Sequence, residues 1–234
     1  SMQILNSLNF VDEPRIWEKW DTKGNAKRHR GTTFVCHLVP DSSLHQIGVK
    51  IVEDIRAEGL ASDYGLLPPS SLHMTVLEGL KDRNLIGQQE KWPEWLKDTE
   101  DYTEAVRRIA DKIAGMKFDI PRFTMKTNGV YPLGESLTIS LVPENEAVAA
   151  DIREFRISLA EALEFTITDA DSYRFHCSLG YRLTVADDQD EKLLALKKKY
   201  DSWVSQISTV DLEDGAFNIF NDMLSLPPLV TLKK

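Results

Sequence analysis

The switches between strand-like alternation and helical spacing of apolar residues divide the chain into elements. TTFVCHLVP (32–40) is short, rich in β-branched and aromatic residues and ended by Pro40, which predicts a buried strand. Leu44, Ile47, Val49, Ile51 and Ile55 form an apolar stripe over 43–58, with Asp41 or Ser42 as cap and Gly59 as stop, which predicts a helix. LHMTVLEGL (72–80) predicts the next strand, after the turn GLLPPSS. Residues 81–100 are polar, carry Trp92, Pro93 and Trp95, and predict a long loop or short helix. Ala105, Val106, Ile109, Ile113 and Met116 mark a helix at 101–116; strands are expected at about 118–131 and 136–142, joined by YPLGE. Val148, Ile152, Phe155, Leu159 and Leu163 mark a helix at 145–164. A strand at 173–185 follows, then a helix at 189–206 capped within DDQD. The last segment reads as two strands turned at EDG, then an extended tail.

The order is β, α, β, α, β, β, α, β, α, β, β. Interspersed helices and sequential strand pairs predict an α/β or α+β sandwich with helices outside mixed sheets. Residues 1–31 read as an N-terminal extension packed on the domain through Trp17 and Trp20, and 32–234 as a single domain.

Composition narrows the function classes. An apolar fraction of 42% and a charged fraction of 28% over 234 residues are those of a globular chain able to bury a sizeable core. No apolar run approaches the roughly 20 residues that cross a bilayer. The N-terminus lacks a basic start followed by an apolar stretch, and Ser1 before Met2 has the look of a cloning remnant. Cys36 and Cys177 both fall in apolar strand-like runs and read as buried reduced thiols, so a cytoplasmic location is expected. The formal net charge of −9 argues against wrapping long duplex nucleic acid. It leaves room for a small nucleotide or an RNA end held in a local cationic pocket. A monomer is the expected state.

Two short stretches then change the picture. SSLHMTVLEG (70–79) and YRFHCSLGYR (173–182) each place a histidine two residues before a small hydroxyl: His73 and Thr75, His176 and Ser178. Strand alternation puts Ser71, His73 and Thr75 on one face, opposite Leu72, Met74 and Val76. Likewise Arg174, His176 and Ser178 face away from Tyr173, Phe175, Cys177 and Leu179. Two imidazoles on one cleft suit general acid–base catalysis, because one ring can start neutral and the other charged near pH 7. Thr75 and Ser178 would donate to phosphate oxygens as charge develops, and the scheme calls for neither metal nor cofactor. Each histidine could instead be a half-exposed strand residue bonded to its neighbouring hydroxyl.

Further candidates are weaker. His37 alternates with Val35 and Val39 and could reach the same groove, or sit in the core. Arg174 shares a face with His176 and could supply fixed charge to a phosphate, or form a surface ion pair. Tyr131 could stack on a base, or pack in the core. Trp92 and Trp95 could form a stacking lid, or pin their loop. No P-loop, dinucleotide fingerprint or zinc-ligand spacing is present, and Cys177, adjacent to His176, would point to the opposite face.

The residues HMTV and HCSL, an opening strand FVCHLVP ending in proline, and the ending FNIFNDMLSL together resemble the 2H phosphoesterase superfamily across roughly 32–230. That superfamily includes 2′-5′ RNA ligase-like proteins and cyclic nucleotide phosphodiesterases. CHLVP, LHMTVLEGL and YRFHCSLGYRL are most similar to a poorly characterised microbial branch. The resemblance implies an α+β bilobal fold of two pseudo-twofold related sheets, with one His-x-Thr/Ser from each lobe meeting in a central groove. It implies His73, Thr75, His176 and Ser178 as catalytic residues; His37, Arg174 and Tyr131 stay the substrate-contact candidates read from the residues themselves. It favours His176 as base and His73 as acid. Residues 81–100 are long for this pattern, which separates substrate choice from that of better-known relatives. The expected activity is metal-independent hydrolysis of a cyclic, 2′-linked or terminal phosphodiester. A non-catalytic module that binds a phosphorylated metabolite or RNA end is the alternative.

Overall fold

A computed structural model describes residues 9–233. Helix α1 (Pro14–Lys19) opens with proline at its first position, where the missing N–H removes no helical bond. Strand β1 spans Gly31–His37 and helix α2 Ser43–Ala57, followed by β2 (Tyr64–Leu66) and β3 (His73–Lys81). Helix α3 (Tyr102–Ala114) precedes the hairpin of β4 (Met125–Val130) and β5 (Ser136–Pro143). Then come α4 (Glu146–Leu163), β6 (His176–Arg182), α5 (Glu191–Val204), β7 (Ala216–Phe220) and β8 (Pro228–Thr231). The caps are local chemistry: Asp101, Asn145 and Asp190 each accept a backbone N–H in the first turn of α3, α4 and α5.

The strands form two four-stranded sheets, ordered β3-β1-β7-β8 and β2-β6-β5-β4. Every ladder is antiparallel, so of the mixed or antiparallel sheets expected the antiparallel form is the one found. The architecture is α+β and bilobal. One apolar cluster joins Phe34, Met74 and Val76 of the first sheet to Ile139, Cys177 and Leu179 of the second, with Ile51, Ile109, Leu159 and Tyr200 from the four longer helices. Each buried Leu or Ile contributes roughly 1.5–3 kcal/mol, enough for the apolar stripes to hold these helices in place.

Three expectations are corrected. Residues 118–124 are no strand: Phe118 and Phe123 turn their rings onto Phe155 of α4, an extended arrangement without a ladder. The turn between the last two strands is not EDG but residues 221–227, and the segment before EDG makes only an isolated bridge from Leu212 to Leu38. The three-residue β2 was not expected, because YGL is too short to show a period. The polar stretch 81–100 is a loop with two short 3₁₀ turns. Its tryptophans pin it down: Trp92 Nε1 donates to the Lys81 carbonyl (3.0 Å) and Trp95 Nε1 to the Leu163 carbonyl (2.7 Å), so they are no stacking lid.

The two sheets meet along β3 and β6. Tyr173 Oη donates to the Thr75 carbonyl across this seam (3.4 Å), and the Cys177 thiol meets the His73 backbone N–H.

Candidate active site

Both histidine strands carry the same local irregularity. Opposite β1, Thr75 pairs with Val35 and Leu77 with Phe34, so Val76 is one residue too many. Opposite β5, Ser178 pairs with Thr138 and Gly180 with Leu137, so Leu179 is the extra residue. Each is a β-bulge, and each shifts the phase of side chains beyond it. Hence the cleft face reads His73, Thr75, Glu78 on β3 and His176, Ser178, Tyr181 on β6, with the third residue five places after the histidine in both strands. The extra carbonyls are captured. Val76 O accepts from Nε of the buried Arg156 (2.8 Å), and Leu179 O accepts from the Leu67 N–H (3.0 Å).

The histidines are held in matching ways. His73 Nδ1 donates to the Ser71 carbonyl (2.7 Å) and His176 Nδ1 to the Arg174 carbonyl (2.9 Å), each two residues upstream. A carbonyl only accepts, so Nδ1 carries the proton and the neutral ring offers Nε2 as a lone-pair base. Burial pushes the His73 pKa down to about 4; the Ser71 carbonyl opposes the shift, and nearby His37 and His176 add to it.

His73, Thr75, His176 and Ser178 line one open cleft. Leu67, Tyr173, Tyr181, Phe220, Met223 and Leu226 supply its apolar walls. Lys19, His29, Thr32, Thr33, Glu78 and Lys81 supply the remaining polar lining. The other three candidates stand outside this lining. The His37 ring lies 6.1 Å from that of His73, its pKa lowered by burial despite Glu213. Tyr131 stands 6.1 Å from the His176 ring, and the Arg174 guanidinium lies over the Tyr131 ring at 5.1 Å. Arg174 is exposed and opens on a neighbouring hollow shared with Arg153 and Arg156. It precedes β6; Tyr173 still shares a side with Phe175, their rings 5.0 Å apart, and packs against the core while also lining the cleft.

Sequence reading missed the lining beyond the bulges and the lining from the N-terminal segment. The adjacent apolar pair Val76-Leu77 breaks the alternation and marks the first phase shift. Lys19 and His29 lie in a segment with no strand period; His29 falls in the basic run AKRHR (26–30), and nothing in the sequence singled out Lys19. Burial pushes both thiols, Cys36 and Cys177, up to about 12, which leaves them unreactive at neutral pH.

Two buried histidines give the fold a defined acid response. Burial, with Lys19 and Lys81 nearby, lowers the pKa of His29 to about 4, as burial does for His73. Unfolded, both rings titrate near 6.5. Between these values the unfolded chain binds protons that the folded chain refuses. Stability is therefore whole above about 6.5 and declines as pH falls toward 4, by on the order of 3 kcal/mol for His29 and less for His73 in its open cleft. Asp54 and Asp82, whose pKa the fold lowers from 3.8, titrate below this window. Denaturant melts at pH 8 and pH 5 should show the loss, and His29→Leu should shrink it; an unchanged difference would refute the assignment.

The family model described as 2H-phosphodiest, a domain of unknown function (DUF1868), matches residues 19–136. No curated protein matches the chain. A conserved protein of unknown function, ATU0111 from Agrobacterium tumefaciens str. C58, has a similar solved structure: TM-score 0.80 at 23% identity, over 94% of this chain and 92% of that one. At that identity the likeness speaks for the fold. The family match starts inside α1 and includes the His73 strand, and it supports a phosphoesterase-type function in general terms. The chain thus belongs to the 2H phosphodiesterase family.

Proposed function

We propose that the chain hydrolyses a phosphodiester of a nucleotide or short RNA end, with a 2′,3′-cyclic phosphate as the simplest substrate. The observation that carries this reading is the paired constellation: two imidazoles on one cleft, each with Nδ1 tied to a carbonyl two residues back and a hydroxyl two residues ahead. Such pinning removes the ring's freedom before substrate arrives. A water oxygen attacks phosphorus as the opposite ribose oxygen leaves. One Nε2 takes the water's proton, the other ring gives a proton to the departing oxygen, and Thr75 and Ser178 donate to the non-bridging oxygens.

Burial of His73 supports it as the base, since a ring held neutral near pH 7 accepts a proton readily. His176, whose hydrogen bond lies at the exposed side of the cleft, then takes the proton-donating role. This order reverses the one implied by the resemblance. The acid limb of kcat/KM against pH should accordingly lie well below 6.5, because activity is lost only as His73 gains its proton.

The test is a screen of 2′,3′-cyclic nucleotides and 2′-5′ linked oligonucleotides, with products resolved, in the presence and absence of EDTA. Turnover should be insensitive to the chelator, because acid, base and oxyanion contacts are all side chains. Binding without turnover of any phosphodiester would make the chain a binding module. Loss of activity in EDTA, restored by a divalent ion, would overturn the metal-independent scheme.

A further inference from the structure

We propose that the cleft holds a second anion subsite, built by Lys19, Lys81 and His29, and that the substrate carries a second phosphate besides the one between the two histidines. The inference rests on the phosphodiesterase reading for the first phosphate only.

Lys19 ends α1, Lys81 ends β3, and His29 lies two residues before β1, so three separate segments converge on one part of the cleft. The two ammonium groups sense each other: Lys19 is lowered to about 8 by burial and then by Lys81, with Glu78 and Glu18 opposing. It remains charged at neutral pH. None of the ion pairs among the described residues includes either lysine. Like charges held together without a paired carboxylate are unfavourable unless an anion joins them.

His29 points to the same conclusion independently. It is 3% exposed, its ring stacks on Phe220 (6.1 Å between centroids), and it lines the cleft. Neither ring nitrogen has a hydrogen-bond partner among the described residues. A buried polar group left unpaired is costly, and such groups in native folds commonly serve a ligand. A neutral ring keeps one N–H to donate, and Thr32 and Thr33 line the same region.

The two subsites are physically continuous. Lys19 Nζ stands over the Tyr181 ring at 5.0 Å, and Tyr181 shares the β6 cleft face with His176 and Ser178. A nucleotide with phosphates at both ends of its ribose would span them, its apolar parts against Tyr173, Tyr181 and Phe220. Local charge is the reverse of the whole chain's −9: two ammonium groups face one carboxylate, Glu78. A second phosphate is therefore attracted here although the chain as a whole repels it.

Titration calorimetry at 150 mM salt, on the full chain, compares adenosine 2′- and 3′-monophosphates with the 2′,5′- and 3′,5′-bisphosphates. In at least one pair the bisphosphate should bind at least about tenfold more tightly. Lys19→Gln and Lys81→Gln should cut that ratio to below about threefold, Lys19→Arg should restore it, and Lys50→Gln, at a lysine packed over Trp203, should leave it. Thermal melts establish that each variant is folded. Equal affinity within both pairs, or a ratio untouched by both glutamine variants, would overturn the subsite. Cyclic-nucleotide turnover on the same protein separates the two ideas. Turnover with equal affinities sinks the subsite alone. A tenfold ratio without turnover sinks the phosphodiesterase alone.

Discussion

His73→Ala and His176→Ala each lower kcat on the best cyclic-nucleotide substrate by at least about 10²-fold, and by up to about 10⁴-fold. The size follows from the role. Removing either imidazole leaves the water's proton or the leaving oxygen without a partner, and bulk water replaces it poorly. The double variant should be little worse than either single one, because proton uptake and proton donation serve one transition state. Thr75→Ala and Ser178→Ala should cost less, about tenfold each, since each removes one hydrogen bond to a charged oxygen while both proton transfers persist. All four side chains face the cleft, so melts should stay close to wild type. Steady-state kinetics and product analysis decide the matter: parental rates in both histidine variants would place the chemistry elsewhere.

Arg156→Met should destabilise the fold by about 3 kcal/mol, because a buried guanidinium leaves its partners stranded when removed. Arg156 is 3% exposed; its Nε donates to Val76 O, its Nη2 meets Asp169 Oδ1 at 3.2 Å, and its plane lies 4.1 Å from the Tyr173 ring centroid. Methionine keeps much of the stem's volume, so the loss reports the polar contacts. For a chain of this size it corresponds to a drop in Tm of roughly 6–12 °C. Lysine should rescue little, since one ammonium cannot reproduce the fork that serves both Val76 and Asp169. The variant should also lose about tenfold or more in kcat at permissive temperature, because Val76 follows Thr75 directly and sets how that hydroxyl meets the cleft. A stable, fully active Arg156→Met would show that the bulge holds without it.

The helices and the two histidine strands were legible because long periodic patterns report burial directly. The stripes in 43–58, 101–116 and 145–164 became α2, α3 and α4 within two residues at each end. Alternation also put His73 with Thr75 and His176 with Ser178 on one side, and the structure brings all four to one cleft. It failed where the period itself changes. Beyond Val76 and Leu179 the phase inverts, so Glu78 and Tyr181 were hidden by the rule that located the histidines. Arg174 was given a face by strand alternation although β6 begins only at His176, and Tyr131 stands just past the end of β4. Lys19 and His29 belong to a segment read as mere packing, because convergence of distant segments has no local pattern.

The paired bulges bear on how such a cleft can change over generations. An extra residue in a strand usually throws every later side chain to the wrong side of the sheet, so insertions and deletions there are rarely tolerated. Here the surplus residue after each His-x-Thr/Ser is already housed, its carbonyl captured by Arg156 or by the Leu67 N–H, and β3 takes up a second one between its pairings with Thr33 and Gly31. That first bulge separates the histidine and hydroxyl in phase from the rest of each strand. Histidine and hydroxyl lie before it, and Glu78, Lys81 and Tyr181 of the cleft lining lie after it. Point changes at Glu78, Lys81 or Tyr181 can therefore retune recognition while proton transfer stays in register, which lets one scaffold diversify its substrates without rebuilding its chemistry.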